Sequence, residues 1–362
     1  MNLNLLRFPR KSTPQPQRQE TSLYALDHAL LNIPLPPPSM WMNMGYWKDT
    51  ADFPTACASL LDQILITASL LGPDGEAIHH PKKKTFRVLD VGIGCGDQSL
   101  RVCGYTRISQ GNLFSAQDND ESKGGEEEEE EEPLFESYTG LTSLPVQASF
   151  ASSRLSQSQK IKASEGKRQT KAAIFCADAA DPSFWSEEIH SCLPSPSPGS
   201  SSSSKDSQTK ETEEEEENWL LALDTLYHFT PSRAPLLHYT SSTLHASLMA
   251  FDLLLPSPPH SLSLIQKILL YFLCLITSTP YSNFLTQKEY TSLLIEAGYD
   301  PEKIIFRDIS EHVFPGISYF IKKREGVLKR YGMRIGKFKG AGRVFGWWGS
   351  GVLRGVIVVA RR

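Results

Sequence analysis

The chain has 362 residues, 40% of them hydrophobic, which is enough for one large domain or two small ones with a core that folds alone. Its six cysteines form no CxxC pair, a pattern that favours a reduced compartment over a disulfide scaffold. The formal net charge of −4 combines two acidic blocks, 115–134 at −9 and 204–217 at −5, with a remainder at +10.

Residues 1–39 are predicted to be an extension outside the folded domain, which we place at 40–362. Four basic residues precede the first acid, Glu20, as in a mitochondrial transit peptide. Three prolines in the same stretch break any amphipathic helix there. We therefore predict a cytoplasmic protein, with a mitochondrial or membrane-associated location as the alternative.

An aromatic segment, Trp41 to Trp47 (WMNMGYW), precedes the first predicted helix, which Asp52 caps and Pro54 begins. Tyr46 and Trp47 can staple the start of that helix. They can also lie over a bound cation, because an aromatic face attracts positive charge. Both interpretations remain open.

The most specific feature is the segment from Phe86 to Gln98, FRVLDVGIGCGDQ. Its apolar first half predicts a buried parallel strand that ends in Asp90, and Asp97 opens a helix. Three glycines at alternate positions lie between them: Gly92, Gly94 and Gly96. They allow a sharp turn and let a ligand approach the free backbone N–H groups. A plain strand-to-helix turn is the alternative.

Two low-complexity blocks rich in Ser, Pro and Glu, 109–133 and 191–217, are predicted to be disordered insertions. Long surface insertions cost little loop-closure entropy, so one fold can carry them. Without them the chain alternates regularly between strands and helices. The strands predicted in this way are 86–91, 135–141, 172–176, 219–223, 246–255, 303–308 and 353–360.

The helices predicted between these strands include Pro145 to about Leu155 and the apolar stretch Leu262 to Ile276. Another begins at the capping box Thr286-x-x-Glu289 and ends at Gly298. This alternation indicates an α/β fold, a doubly wound and mostly parallel sheet. In such folds the ligand lies at the carboxyl ends of the strands.

Polar segments follow four of the predicted strands, so the fold brings them to one edge of the sheet. Neutral side chains after the second strand can hydrogen-bond the hydroxyl groups of a ligand, and a histidine after the fourth can take a proton from a hydroxyl or ammonium group. A second histidine, His312, lies in a predicted loop at 308–316 and is the alternative base. Besides the glycine loop, the four segments contain Thr142, Ser143, Gln147, Asp178, Ala179, Asp224, Tyr227 and His228.

In chain order, the segments NMGYW, LDVGIGCGD, GLTSLPVQ and DAAD resemble class I S-adenosylmethionine (SAM)-dependent methyltransferases of the small-molecule, tocopherol- and sterol-type branch. The resemblance implies a seven-stranded Rossmann-like sheet with an antiparallel last strand, SAM as the cofactor, and a substrate cap at about 256–285. The common family pattern has an acid after the second strand, where this chain has Thr142. The implied cofactor contacts are Tyr46, Trp47, Asp90, Gly92, Gly94, Gly96, Gln98, Thr142, Ser143, Gln147, Asp178, Ala179 and Asp224.

By the same resemblance, Asp90 holds the amino group of SAM, directly or through water, and Asp178 accepts a hydrogen bond from its adenine. Tyr46 and Trp47 cover the methyl donor. The candidate catalytic residues are His228, Tyr227 and His312.

We therefore predict a SAM-dependent methyltransferase that acts on a small, apolar or amphipathic acceptor and uses no metal. A regulatory or scaffold protein that binds SAM without turnover is the alternative, favoured by the missing ribose acid and the long insertions. Cyclopropanation is not predicted, because the EMxEH segment of that branch is absent. The apolar stretch 262–276 and the basic, aromatic segment 322–348 suit a membrane surface, whereas no nucleic-acid-binding signature accompanies them.

Overall fold

The computed structural model describes residues 33–78, 84–108, 131–193, 215–258 and 260–362, together with Leu26, Ala29 and Leu31. The central parts of both predicted insertions and most of the predicted extension lie outside these residues. Within the described part of the chain, no helix is both long and apolar enough to cross a bilayer.

Helices and strands alternate along the described chain. The α-helices are α1 (Phe53–Thr67), α2 (Asp97–Val102), α3 (Pro145–Ser164), α4 (Glu187–Cys192), α5 (Ala234–Ser242), α6 (Leu264–Thr277), α7 (Gln287–Ala297), α8 (Ser310–Arg330) and α9 (Phe338–Trp347). The strands are β1 (Lys84–Val91), β2 (Thr106–Ile108), β3 (Glu131–Pro133), β4 (Phe135–Thr142), β5 (Lys171–Cys176), β6 (Glu215–Leu223), β7 (Ser247–Leu255), β8 (Leu285–Thr286), β9 (Ile304–Asp308) and β10 (Arg354–Ala360).

The central sheet has the order β5-β4-β1-β6-β7-β10-β9, and the short β8 pairs with the end of β7. Strands β5, β4, β1, β6 and β7 are parallel, whereas β10 is antiparallel to both β7 and β9. The predicted doubly wound, mostly parallel sheet with an antiparallel last strand is therefore confirmed. The chain order reverses on either side of β1, so the carboxyl end of β1 lies at the switch point where such sheets bind ligands.

The buried parts of the central strands are mainly apolar because helices cover both faces of the sheet. Val88 and Leu221 face one core, which α1 and α8 close, while Leu89 and Leu220 face the other, which α5 and α7 close. Four apolar side chains of α1 lie at helical spacing and are fully buried: Leu60, Leu61, Ile64 and Leu65.

A buried ion pair joins α5, β7 and α7 on the face of the sheet that α5 and α7 cover. The guanidinium of Arg233, at the start of α5, bonds the carboxylate of Asp252 on β7, and the two side chains are 1% and 0% exposed. The hydroxyl of Tyr290 on α7 donates to the same carboxylate at 2.9 Å. Arg233 also donates to the backbone carbonyl of Asn283. Three elements therefore depend on one buried charge pair.

The predicted limits of the insertions, 109–133 and 191–217, are too wide. Their acidic ends belong to strands β3 and β6, because basic side chains on neighbouring strands pair with them. Arg107 on β2 lies 2.8 Å from Glu132, and Arg87 on β1 lies 2.8 Å from Glu216. Helix α3 also continues past its predicted end near Leu155 as far as Ser164.

Candidate active site

The glycine loop follows β1 at the edge of the sheet where β1, β4 and β6 all end. Gly92, Gly94 and Gly96 have φ angles of +75°, +55° and +85°, a left-handed region that glycine adopts without strain. The N–H of Gly92 donates to the carbonyl of Leu141 at 2.9 Å. A Cβ on Gly92 would lie 2.3 Å from Oγ1 of Thr225. The turn therefore needs glycine at this position for both conformation and space.

A cavity of about 460 Å³, the first cavity, opens at this edge. This volume lies within the range of roughly 300–1,000 Å³ that is typical of small-molecule sites. Its walls come from the glycine loop, the ends of β4, β5 and β6, and residues 40–43. The predicted site residues that line it are Gly92, Gly94, Gln98, Thr142, Ser143, Gln147, Asp178, Ala179, Asp224, Tyr227 and His228.

Asp90 does not line the first cavity. Its carboxylate is fully buried and accepts hydrogen bonds from the amide of Gln98 at 2.7 Å and the hydroxyl of Tyr138 at 2.6 Å. Burial raises the pKa of Asp90 to about 7. Because Asp90 does not line the cavity, the geometry does not favour a direct contact with a ligand there, and the predicted contact through water stays a prediction. Asp90 instead orients Gln98, which does line the cavity.

Gly96 also lies away from the first cavity, beneath α3. A Cβ on Gly96 would lie 2.7 Å from Cβ of Ala151, so this glycine permits close packing of the helix. Its predicted backbone contact with the cofactor stays a prediction.

The aromatic segment before α1 crosses the sheet edge as a strap, residues 40–47. The N–H of Met44 donates to the Asp224 carboxylate at 2.9 Å, which anchors the strap beside the end of β6. Trp41, Met42 and Asn43 line the first cavity. The segment belongs to the site as predicted, but these three residues line the cavity in place of Tyr46 and Trp47.

Tyr46 and Trp47 point away from the first cavity, contrary to the prediction. Gly45, with φ of +74°, redirects the chain just before them. The ring of Tyr46 packs edge-on against His312 at 5.1 Å between centroids, and Trp47 packs on Phe320 at 5.3 Å. Both side chains attach the strap to α8, which favours a packing role for them over a position above a bound cation.

The segment after β4 presents neutral hydrogen-bonding groups to the cavity. Oγ1 of Thr142 donates to Oε1 of Gln147 at 2.9 Å, and the Gln147 amide contacts the sulfur of Met42 at 3.4 Å. After β5, Oδ1 of Asp178 accepts from the N–H of Ala180 at 2.9 Å. This turn fixes the Asp178 carboxylate at the rim of the cavity.

Asp224 ends β6 in a left-handed conformation, with φ of +60°, which is uncommon for a residue other than glycine. Its carboxylate accepts from the Tyr227 hydroxyl at 2.8 Å as well as from the strap. Burial raises the pKa of Asp224 to about 7. Tyr227 is therefore held by Asp224 at the wall of the cavity.

The raised pKa of Asp224 predicts a pH-dependent stability. The folded state keeps this proton up to about pH 7, whereas an unfolded aspartic acid loses it near pH 3.8, so the free energy of unfolding falls as pH rises between these values. Asp224→Asn is expected to flatten that slope by up to about 1.4 kcal/mol per pH unit. Urea unfolding between pH 4.5 and 7 measures it. An unchanged slope would show that Asp224 is already ionised at pH 4.5.

A second cavity, of about 1,090 Å³, adjoins the first. Helices α6, α8 and α9 form its walls, which are mainly aliphatic and aromatic. Three cationic residues also line it: Arg324, Arg334 and Lys337. The residues that the two cavities share are Met42, Asn43, Asp224, Tyr227 and His228.

His228 lies at the junction of the two cavities. Its Nδ1 is 3.2 Å from Oγ1 of Thr279, which holds the ring in place. Burial lowers the pKa of His228, so the ring is neutral at physiological pH. Thr279, which follows α6 in the predicted cap region, was not recognised from the sequence, because nothing local marks it as a partner of a histidine in another segment.

His312 lines neither cavity. The predicted loop at 308–316 is instead the end of β9 and the first two turns of α8, although Pro315 lies within that helix. Val313 and Phe314 are fully buried, and their packing offsets the hydrogen bond that Pro315 cannot make. The structure therefore places His228, and not His312, where the two cavities meet.

Comparisons with known proteins bear on the fold. No protein-family model matches the sequence, and no curated protein does so either. The cyclopropane synthase MmaA2 from Mycobacterium tuberculosis superposes with a TM-score of 0.50 at 12% identity, over 89% of this chain and 90% of that one. A putative sarcosine dimethylglycine methyltransferase from Galdieria sulphuraria gives 0.48 at 12% identity, over 88% and 92%. At this identity the superposition on the cyclopropane synthase shows the fold alone, and the chain has the same Rossmann-like fold.

Proposed function

We propose that this chain is a SAM-dependent methyltransferase that acts on a small, apolar or amphipathic acceptor. In this proposal SAM binds in the first cavity and the acceptor in the second. The position of His228, which lines both cavities at their junction, is the observation that carries the proposal. The segments NMGYW and GLTSLPVQ favour the tocopherol- and sterol-type branch, and we propose a cytoplasmic location.

The residues around the first cavity fit the chemical groups of SAM. The hydroxyls of Thr142 and Ser143 and the amide of Gln147 offer neutral partners for a ribose diol. Asp178 offers a carboxylate to an adenine amino group, and Gln98, held by Asp90, offers an amide to the amino-acid part. When bound, SAM supplies an electrophilic methyl group on a sulfonium.

The residues of the chain position the acceptor and handle its proton. Because Nδ1 of His228 is engaged by Thr279, Nε2 is the nitrogen left to accept a proton from the acceptor. The apolar walls of the second cavity hold the acceptor and exclude water. Positioning of this kind supplies a large part of the acceleration in a displacement reaction.

Transfer of label from methyl-labelled SAM tests the proposal. The purified full chain is incubated with labelled SAM and a lipid extract, and the organic phase is analysed. We expect label in a lipophilic component with the wild-type protein and very little with His228→Ala. Label that never leaves SAM, in a protein that binds SAM, would favour the alternative of a regulatory or scaffold protein.

A further inference from the structure

Helix α6 exposes an unusual amount of apolar surface. Only Leu270 and Cys274 of this helix are buried, and its single charged residue is Lys267. Monomeric soluble proteins rarely leave a contiguous apolar patch of this kind uncovered. Eight large apolar side chains on α6 are between 47% and 81% exposed: Leu264, Ile265, Ile268, Leu269, Tyr271, Phe272, Leu275 and Ile276.

A strongly basic surface lies across the second cavity from α6. Residues 322–343, from the end of α8 into α9, contain nine basic residues and one acid, Glu325, which gives a net charge of +8. All nine basic residues are exposed. Glu325 lies 2.8 Å from Lys339 and 3.5 Å from Lys329, whereas Arg324 and Arg334 make no ion pair with any described residue. Most of this charge is therefore available to a partner.

The second cavity connects the two surfaces. Leu273 and Ile276 of α6 form one side of it, while Arg324, Arg334 and Lys337 contribute to the other. An exposed apolar helix and a basic surface thus flank one apolar cavity.

We propose that α6 and the basic surface 322–343 dock this protein onto an anionic bilayer. The apolar side chains of α6 enter the boundary between headgroups and acyl chains, and the lysines and arginines contact lipid phosphates. With 14 residues, α6 is only about 21 Å long, too short to cross a hydrocarbon core of about 30 Å, so it lies in the plane of the surface. Docking places the second cavity beside the lipid, from which the acceptor enters; this last step rests on the proposed function.

The charge beside α6 favours a bilayer over a second copy of the chain. A symmetric dimer through α6 would bring two surfaces of net charge +8 towards each other. Juxtaposed like charges oppose such an interface, whereas an anionic bilayer neutralises them.

Sedimentation with lipid vesicles tests the docking. We expect the full chain to bind vesicles that contain phosphatidylglycerol, more weakly as salt is raised, and to bind vesicles of phosphatidylcholine alone far less. The double variant Ile265→Glu/Leu269→Glu should lower affinity by ~10-fold or more. The control variant is Ile161→Glu. Ile161 lies on α3, is 54% exposed and lines neither cavity, so this variant should bind vesicles as the wild type does.

The basic surface is tested separately. Arg334→Ala/Lys337→Ala should lower affinity by roughly 25-fold, about fivefold for each cation removed. Lys160→Ala/Lys288→Ala removes two exposed lysines from α3 and α7 and should leave vesicle binding unchanged.

Any of three results would overturn the docking proposal. The wild-type chain does not bind vesicles; the variants and their controls lose vesicle affinity equally; or the chain is a dimer in solution and Ile265→Glu dissociates it. Calorimetry with SAM on each preparation confirms that the variants are folded. It also separates the two proposals, because a wild-type chain that binds SAM but no vesicles contradicts the docking alone.

Discussion

Replacing His228 with alanine is expected to lower turnover by roughly 10²- to 10⁴-fold, the range for loss of a general base. SAM affinity should stay near the wild-type value, because the backbone of the glycine loop and the side chains after β4 and β5 are untouched. Turnover is measured with labelled SAM and the lipid extract, and affinity by calorimetry.

His312→Ala is the matched control. His312 is also a histidine near the strap, yet it lines neither cavity and packs against Tyr46. Its removal should change turnover far less than removal of His228. A His228→Ala enzyme that binds SAM weakly but keeps its turnover would show that His228 is part of the cofactor site and not the base.

The pH dependence of turnover offers a second check on the same residue. Burial lowers the pKa of His228 below its ordinary value of 6.5, so the neutral, proton-accepting form persists to lower pH. Turnover should therefore remain constant from neutral pH to below 6.5 and fall only in more acid solution. A decline that begins above pH 6.5 and persists in Asp224→Asn would contradict the assignment, because Asp224 also lines the junction and has a pKa of about 7.

Asp252→Ala is expected to lower the free energy of unfolding by about 3–5 kcal/mol, because it leaves the guanidinium of Arg233 buried without a counter-ion. The hydroxyl of Tyr290 loses its acceptor at the same time. Unfolding in urea measures the loss.

An exposed ion pair supplies the comparison. Glu325→Ala breaks contacts with Lys329 and Lys339 at the surface of α8 and should lower the free energy of unfolding far less than Asp252→Ala does, because water screens exposed ion pairs. Replacing Arg233 and Asp252 together by apolar residues should recover much of the stability, because no unpaired charge remains. A loss below about 1 kcal/mol for Asp252→Ala would mean that the buried pair is not closed in solution.

Short sequence motifs correctly predicted the glycine turn after β1 and both ends of helix α7. The alternate glycines after β1 require left-handed backbone, and the structure has it at all three positions. The capping box of Thr286 and Glu289 is formed at the start of α7, and Gly298 ends that helix with φ of +101°. Each of these features depends on a few neighbouring residues, which is why the sequence alone is sufficient to place them.

The direction of side chains within the site depends on residues far away in the chain. Asp90 turns towards Tyr138, 48 positions later, and Met44 contacts Asp224, 180 positions later. No motif encodes those pairings, so the sequence identified the segments that line the first cavity but not which of their side chains face it. The acidic ends of the insertions are strands for the same reason, since Arg87 and Arg107 pair with them across the sheet.

Calorimetric titration of SAM tests the central claim, that the first cavity is its binding site, most directly. We expect one SAM per wild-type chain and an affinity lower by ~10-fold or more in Gly94→Ala, where the new methyl group strains a left-handed residue and narrows the lining of the cavity. Gly166→Ala is the control, because Gly166 has φ of +71° and open space around its Cβ position, away from the cavity. It should bind SAM as the wild type does. No heat of binding with the wild-type chain, or equal affinity in Gly94→Ala, would contradict the account.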